Sequence, residues 1–334
     1  MRPSPVGAPR SSRANSRSPG EAPAPGSSVP RGPVAPAPLP DPDGIPAKSF
    51  CESYIPARSS ISKPNAIRPY LAAVRKVTTM VNSLDELAQA LARNRSAGIV
   101  TDLPLSLLQS EEAAKAVQSA ALAAFDTDFR GYALVGTHAT VRRSLGLREA
   151  IVSPIPNRAC FESRKTFPLP RGMIGAQCEL LFTIGRNYPA AGETVDRQSA
   201  ADAIVACRPA IGLVGRRTRT APANPLVATA DFACHVATIC GPSPRPINWL
   251  DLDKLPMTAR IDGNLVMSAS ASDILGHPLE AVAWLALNLV DDGGGLNAGD
   301  LVATGSCAPL LQVIPGQTLA VDFDTLGAVN CAFE

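Results

Sequence analysis

The sequence has few aromatic residues, few histidines and no long apolar run, and these absences exclude several classes of protein. Of its 334 residues, 4% are aromatic and three are histidines. The formal net charge is +2, so no overall field would attract nucleic acid or an anionic membrane surface. No apolar run reaches the roughly 18 residues that a membrane-spanning helix needs. We therefore expect a protein that binds neither nucleic acid nor membranes.

The cysteines show the pattern of neither a metal site nor a disulfide framework. There are eight, and none are arranged as C-x-x-C. A chain of this length can bury a core without disulfides, and no secretory segment precedes the cysteines. We interpret them as reduced, mostly buried thiols in a cytoplasmic protein. Cys234, His235 and Cys240 lie close together, but their spacing matches no standard zinc site, and we favour core thiols beside a hydrogen-bonded histidine.

The first 79 residues differ in composition from the rest. Residues 1–46 contain 13 prolines among Ser, Ala, Gly and Arg. Such a segment buries too little apolar surface to offset its ordering entropy, so we predict a disordered, proline-rich extension over residues 1–79. Its arginines also suggest a transit peptide, but proline at this density breaks the amphipathic helix that such a peptide needs. We predict that the folded part begins near Met80.

Two helices are predicted within residues 80–150. Ser83 and Glu86 are spaced as a capping box, and apolar residues follow at helical spacing. Ser110 precedes a second apolar run that begins with two acids, which suits the dipole of a helix. We predict a small N-terminal helical section over residues 80–150.

Residues 151–334 are predicted to form a β-rich core. Short β-prone runs occur at residues 180–184 and 210–214, and residues 319–323 alternate as a half-buried strand does. Asp262-Gly263 is typical of a tight hairpin turn. Many short strands with a few helices indicate an α+β fold with a rolled or barrel-like sheet.

The stretch from residue 276 to residue 306 predicts a helix, a turn and a strand in succession. Pro278 suits a first helical position, and the apolar residues that follow recur at helical spacing over most of the helix surface. Three glycines at 293–295 end the helix, and residues 297–300 turn the chain into a strand at 301–304. We predict that this helix is buried in the core.

Several motifs resemble the 2-keto-4-pentenoate hydratase and 2-oxohepta-3-ene-1,7-dioate hydratase family of the fumarylacetoacetate hydrolase superfamily. They are G-H-P-L, A-x-A-W-L-A and G-L-x-A-G-D-L-V-x-T-G-S, preceded by YALVGTHATVRRSLGL, QCELLFTIGR and RPAIGLVGRR. The resemblance covers roughly residues 80–334. It implies a mixed β-sandwich roll with outer helices. It also implies hydration or decarboxylation of small 2-oxo or 2-hydroxydienoic acids in aromatic-compound catabolism, usually by an oligomer.

The resemblance also implies Mg²⁺ or Mn²⁺ bound by three carboxylates. A hard dication prefers oxygen ligands and keeps open positions for substrate. The first two ligands of the family stand in an E-x-E, which here is Gln177-Cys178-Glu179. The third ligand position is Gly212, and Gly215 replaces the acid that follows it. Glu179 and Gln177 are therefore the remaining candidate metal ligands.

Other positions of the family pattern have changed as well. Ala133 stands where the family carries a lysine, and His138 stands where it usually shows a serine near the substrate carboxylate. Arg216 and Arg217 belong to a basic cluster that follows Gly215. We take His138, Arg216 and Arg217 as candidate residues for binding an anion or for catalysis; the alternative for the arginines is a solvated surface or salt bridges. For His277 we favour a structural hydrogen bond.

Three functional hypotheses remain open at this point. The first is a hydratase or decarboxylase that acts on a small 2-oxo acid with a weakened or altered site. The second is a non-catalytic paralogue that serves as partner subunit of an intact hydratase, in a hetero-oligomer rather than a homo-oligomer. The third is a binder of small carboxylates that uses no metal.

Overall fold

A computed structural model describes residues 81–163, 165–219, 224–242 and 249–334. The extension predicted for residues 1–79 lies outside this part of the chain. The helices are α1 Val81–Ala97, α2 Glu111–Phe125, α3 Ala139–Ser144, α4 Arg197–Ala203, α5 Pro225–Ala230 and α6 Pro278–Asp291. The strands are β1 Phe129–Val135, β2 Ile151–Pro156, β3 Cys160–Glu162, β4 Thr166–Phe167, β5 Met173–Ile184, β6 Ile204–Gly215, β7 His235–Cys240, β8 Pro256–Ile261, β9 Asn264–Ser270, β10 Leu301–Ala303, β11 Thr318–Asp322 and β12 Ala328–Phe333.

The strands form two mixed sheets. The larger has seven strands in the order β2-β1-β10-β5-β6-β7-β3, and the smaller has five in the order β4-β12-β11-β8-β9. Strands β1 and β2 also approach β7, so the larger sheet curls on itself. The predicted α+β fold with a rolled sheet is confirmed. Of the described helices, none is long and apolar enough to cross a membrane.

The long antiparallel pair of β5 and β6 lies at the centre of the larger sheet. Each strand has 12 residues, and most residues of both are buried. One face of the pair packs against the smaller sheet, where Phe182 and Ile211 share a core with Leu319 and Val329. The other face points into the curl of the larger sheet. Any polar side chain on that inner face is therefore removed from water.

Helix α6 covers the main core, as predicted. His277 caps its first turn, Pro278 occupies a first-turn position, and Gly293 follows its end with φ of +80°. Leu287 and Val290 are nevertheless 50% and 45% exposed, so the helix is buried on most of its surface but not all round. The chain then turns at Gly299 and enters β10, which is inserted between β1 and β5.

The N-terminal section packs as a second, smaller core. Helices α1 and α2 bury Leu87, Val117 and Leu122 together with Phe232. Ser110 caps α2, as predicted, because its side chain accepts a hydrogen bond from Ala113 N at 3.2 Å. The capping box predicted at Ser83 is wrong, since α1 already includes residues 81 and 82.

The section predicted as helical also contains one strand. Strand β1 lies within residues 80–150 and pairs with β2 and β10 in the larger sheet. The boundary at residue 150 stays a prediction. Downstream, the predicted hairpin is confirmed: Asp262 and Gly263 connect β8 to β9 with φ of +50° and +81°.

Candidate functional site

Gln177 and Glu179 lie on β5 with their side chains on the inner face of the curled sheet. Their partners on β6 are Gly212 opposite Gln177 and Ala210 opposite Glu179. The alternation of a strand places both polar side chains on one face. Both are shut off from solvent, with 2% of Gln177 and 0% of Glu179 exposed.

Glu179 has hydrogen-bond donors around one carboxyl oxygen and none around the other. Its Oε2 accepts from Gly305 N at 3.0 Å and from Gln177 Nε2 at 3.2 Å. Its Oε1 is buried and has no hydrogen-bond partner among the described residues. Burial raises the pKa of Glu179 to about 8, although the Gly305 N–H opposes the shift. The carboxyl group is therefore mainly protonated at neutral pH.

Two glycines give this carboxyl group its space. A Cβ at residue 212 would overlap Oε1 of Glu179 and would lie 2.9 Å from Nε2 of Gln177. The Glu179 side chain thus fills the volume that a side chain at residue 212 would use. Gly305 has φ of +76°, and a Cβ there would press on Thr137 and on the carbonyl oxygen of Leu134. The glycine lets the N–H of residue 305 reach the carboxyl group.

The rest of the inner face is mostly apolar, with two buried hydroxyl groups from Ser153, opposite Ala133, and Thr238, opposite Gly212. Ala133 is 2% exposed and lies on β1. It packs in one buried cluster with the following side chains: Ile155, Leu181, Ala210, Cys240 and Ala303. Among the described residues, only the Gly305 N–H opposes the effect of burial on the pKa of Glu179, and no charged group contributes.

The residues present do not fit a catalytic Mg²⁺ or Mn²⁺ ion. The described part of the chain contains no group of three or more His, Cys, Asp or Glu that could hold a metal. Gln177 Oε1 and Glu179 Oε1 are both buried without a partner, so two oxygens are free in principle. One belongs to a neutral amide and the other to a carboxyl group with a raised pKa, whereas such ions require several anionic oxygens and retain water. The roles predicted for Glu179 and Gln177 as ligands stay predictions.

Arg217 lies in a buried ion pair. Its Nε donates to Oδ1 of Asp231 at 2.6 Å, its backbone N donates to Oδ2 at 2.7 Å, and its Nη2 donates to the carbonyl oxygen of Asp231 at 2.6 Å. The two side chains are 5% and 2% exposed. This geometry holds the segment after β6 against the segment after α5. The sequence offered the salt bridge as an alternative for Arg217 but did not identify Asp231 as its partner.

Arg216 and His138 make local hydrogen bonds. Arg216 is half-buried, and its Nη1 donates to the carbonyl oxygen of Arg219 at 3.2 Å. His138 caps α3, because its Nδ1 accepts from Thr140 N at 3.2 Å. Burial lowers the pKa of His138 against the opposing charge of Asp273, and so favours the neutral ring that the cap requires.

Among the described residues, no hydrogen bond joins His138, Arg216 or Arg217 to Glu179. The structure therefore shows no hydrogen-bonded constellation of these candidate residues, and their catalytic roles stay predictions. His277 caps α6 through Nδ1, which accepts from Leu279 N at 3.1 Å, in agreement with the structural role predicted for it.

The residues around His235 form core thiols beside a hydrogen-bonded histidine, the arrangement favoured from the sequence. Cys234 and Cys240 are buried core residues. The His235 ring lies 3.1 Å from Thr238 Oγ1 through Nε2 and 3.2 Å from Arg95 Nη2 through Nδ1. Both ring nitrogens therefore have partners within the protein.

Comparison with known proteins identifies relatives of this fold. The family model for the C-terminal part of fumarylacetoacetate hydrolase matches residues 145–334. A 2-keto-4-pentenoate hydratase from Paraburkholderia xenovorans is 28% identical over 199 residues, which are 59% of this chain and 73% of that protein. A 2-keto-4-pentenoate hydratase from Burkholderia vietnamiensis is 34% identical over 158 residues, which are 47% of this chain and 59% of that protein.

A solved structure extends the likeness through most of the described chain. The 4-oxalocrotonate decarboxylase from Pseudomonas putida G7, complexed with magnesium and adipate, superposes with a TM-score of 0.66 at 20% identity. The superposition covers 75% of this chain and 98% of the decarboxylase. The fold is thus shared although few residues are identical. The family model spans more than half of the residues of this chain, and the chain therefore belongs to the fumarylacetoacetate hydrolase family.

Proposed function

We propose that the protein is a hydratase-like member of the family whose activity on small 2-oxo or 2-hydroxydienoic acids is far weaker than that of a site with all its carboxylates. The substrate class comes from the names of the relatives, which are hydratases and a decarboxylase. The proposal of weak activity rests on one observation: Glu179 is a single buried carboxyl group with a pKa near 8. Aromatic-compound catabolism and a cytoplasmic location belong to the same proposal.

The remaining groups can supply little of the usual chemistry. A protonated Glu179 is a potential general acid, and such a group contributes about 10² to 10⁴ in rate. Ala133 and Ala210 pack on the same face, so a substrate reaches this acid only if the inner face opens. We expect any residual turnover to be slow and to depend on Glu179 rather than on metal.

A partner subunit of an intact hydratase is the second candidate. Its support is that the fold is retained over almost the whole length of the decarboxylase while the polar site is reduced. Leu287 and Val290 also form an exposed apolar strip on α6, which an oligomer would cover. A homo-oligomer would use the same strip.

The experiment is to incubate the purified protein with 2-hydroxypenta-2,4-dienoate in Mg²⁺ or Mn²⁺ and then in chelator, following the dienol absorbance. We expect slow loss of absorbance that chelator leaves unchanged and that Glu179→Ala abolishes. Metal-dependent turnover at about 1 to 10³ s⁻¹, the ordinary range for enzymes, would refute the proposal. No turnover, with an intact hydratase co-purifying, would replace it by the second candidate.

A second experiment tests the metal without relying on turnover. Gln177→Glu restores one carboxylate beside Glu179, and we expect Mn²⁺ to raise the melting temperature of this variant by several degrees while leaving the parent unchanged. The matched control is Gln109→Glu, because Gln109 is exposed and lies outside the inner face. An equal shift in the parent protein would show that the present residues bind the ion after all.

A further inference from the structure

A concave site lies between the end of α1, the segment before β5 and the segment after β6. Its volume is about 470 Å³, within the range of small-molecule sites. Neither Gln177 nor Glu179 lines it. Its lining contains no acidic residue and five arginines: Arg95, Arg158, Arg171, Arg216 and Arg217. We call it the arginine pocket.

Arg95 forms the inner wall of the arginine pocket. Its guanidinium lies 4.5 Å from the ring centre of Phe125 and 4.4 Å from that of Phe232. Its Nη2 lies 3.2 Å from His235 Nδ1 and donates to the carbonyl oxygen of Val236 at 3.2 Å. Its Nη1 is buried and has no hydrogen-bond partner in the described chain. Burial, and then the charge of Arg217, lower the pKa of Arg95.

The positive charge of the arginine pocket exceeds the negative charge that faces it. Asp231 is engaged with Arg217 through three short hydrogen bonds. Asp126 accepts from the backbone N of Arg158 and faces Arg95 only at longer range. No salt bridge of the described chain includes Arg95 or Arg171. Arg95 is half-buried with its Nη1 shut off from solvent, and a desolvated cationic group without a counter-ion is costly, so an anion in the pocket would offset part of that cost.

The remaining wall is apolar and aromatic. The guanidinium carbon of Arg158 lies 5.0 Å from the ring centre of Phe125. Phe161 and Phe167 pack edge to face with 5.2 Å between their ring centres. Leu169 and Pro170 complete this side of the pocket. An inorganic anion would leave this apolar surface uncovered, whereas an anion with a flat apolar body would cover it.

We propose that the arginine pocket binds a small organic carboxylate with an aromatic or unsaturated body, the carboxylate facing the arginines and the body lying against the phenylalanines. Guanidinium groups match the planar geometry of a carboxylate. The site uses no metal and no group of the Glu179 face. It would therefore function whether or not the protein retains lyase activity, and it goes beyond the function proposed above.

The test is calorimetric titration of the whole protein with benzoate, acetate and inorganic phosphate at low ionic strength. We expect benzoate to bind more tightly than either acetate or phosphate, by about ten-fold or more. Added salt should weaken the binding of benzoate. Arg171→Ala should lower the affinity for benzoate about ten-fold, the usual loss for a charged hydrogen bond. Arg95→Met should weaken it at least as much while keeping an apolar contact with the rings.

The control variant is Arg260→Ala, because Arg260 is an exposed arginine on the β8–β9 hairpin and does not line the pocket. Its benzoate affinity should equal that of the parent. Arg171 is exposed, so Arg171→Ala should fold. This variant keeps the test valid if Arg95→Met fails to fold. The proposal is refuted if benzoate fails to bind, if phosphate binds as tightly as benzoate, or if the arginine variants and the control show the same affinity.

Discussion

Gly212 and Arg217 lie only five positions apart in sequence, yet the buried ionisable groups at the two places differ in whether they have a partner of opposite charge. Around Gly212, the acid Glu179 has no cation beside it, and burial raises its pKa to about 8. Around Arg217, the buried guanidinium donates to the carboxylate and to the backbone carbonyl oxygen of Asp231, and the backbone N of Arg217 donates to the same carboxylate. Both groups join separate segments of the chain, Arg217 through a charge pair and the lone acid Glu179 through the neutral Gly305 N–H, which carries no full charge. The contrast shows that one buried ionisable group is paired with an opposite charge and the other is not.

The strongest test of this contrast is Asp231→Ala. The variant leaves the Arg217 guanidinium buried without its carboxylate, and removal of one partner from a buried pair costs about 4 kcal/mol. We expect the free energy of unfolding in urea to fall by that amount. The control is Asp102→Ala, which breaks the exposed pair with Arg219 and should cost less than about 1 kcal/mol. Equal losses in the two variants would contradict the structural role of Asp231.

The packing around the lone acid can be tested with Gly212→Ala. The added methyl group would overlap Oε1 of Glu179, and overpacking in a filled core costs about 1 to 3 kcal/mol. In a Glu179→Ala background the same substitution should cost much less, because the overlapping carboxyl group is gone. A double-mutant cycle in urea measures this coupling. Additive losses would show that Glu179 does not occupy the space beside residue 212.

The protonation state of the lone acid predicts a pH dependence of stability. The folded-state pKa of Glu179 lies near 8, above its ordinary value of 4.5, so unfolding releases a proton between these two values. The unfolded state then holds fewer protons, and the free energy of unfolding falls as pH rises through this window by up to about 1.4 kcal/mol per pH unit.

The variant Glu179→Gln lacks this contribution. Between pH 6 and pH 7.5 we expect the parent to lose about 2 kcal/mol relative to the variant, as measured by urea unfolding at each pH. Above pH 8 the difference should level off. Parallel pH profiles for the two proteins would mean that Glu179 stays charged in the folded state.

Local spacing in the sequence was sufficient to predict much of the fold. The spacing of apolar residues after Pro278 predicted α6, and Asp262-Gly263 predicted the hairpin. The serine before α2 predicted its cap. These features depend on neighbours within a few residues, which a single sequence shows. The full length of β5 was not predicted, because its first half contains Gly175 and Gln177, and only pairing with β6 extends it.

The candidate sites were harder to predict, because they depend on contacts between distant parts of the chain. The sequence suggested, through the resemblance alone, that residues 177 and 212 stand where the family has carboxylates. The position of the Glu179 side chain over Gly212 was not visible in the sequence, since it also requires the N–H of Gly305, 126 residues away. Arg95 gave no signal in sequence, because the rings around it come from residues 125 and 232.

The smallest expected effect distinguishes a cap from a catalytic residue at His138. Its Nδ1 accepts from Thr140 N at the start of α3, and loss of an N-cap costs about 1 kcal/mol. His138→Ala should therefore lower the free energy of unfolding by about that amount, while His138→Asn, which keeps an acceptor, should lose only a few tenths. Any dienoate turnover should survive in His138→Asn. If His138→Asn keeps full stability but loses turnover, the imidazole contributes to the chemistry and the cap is only its support.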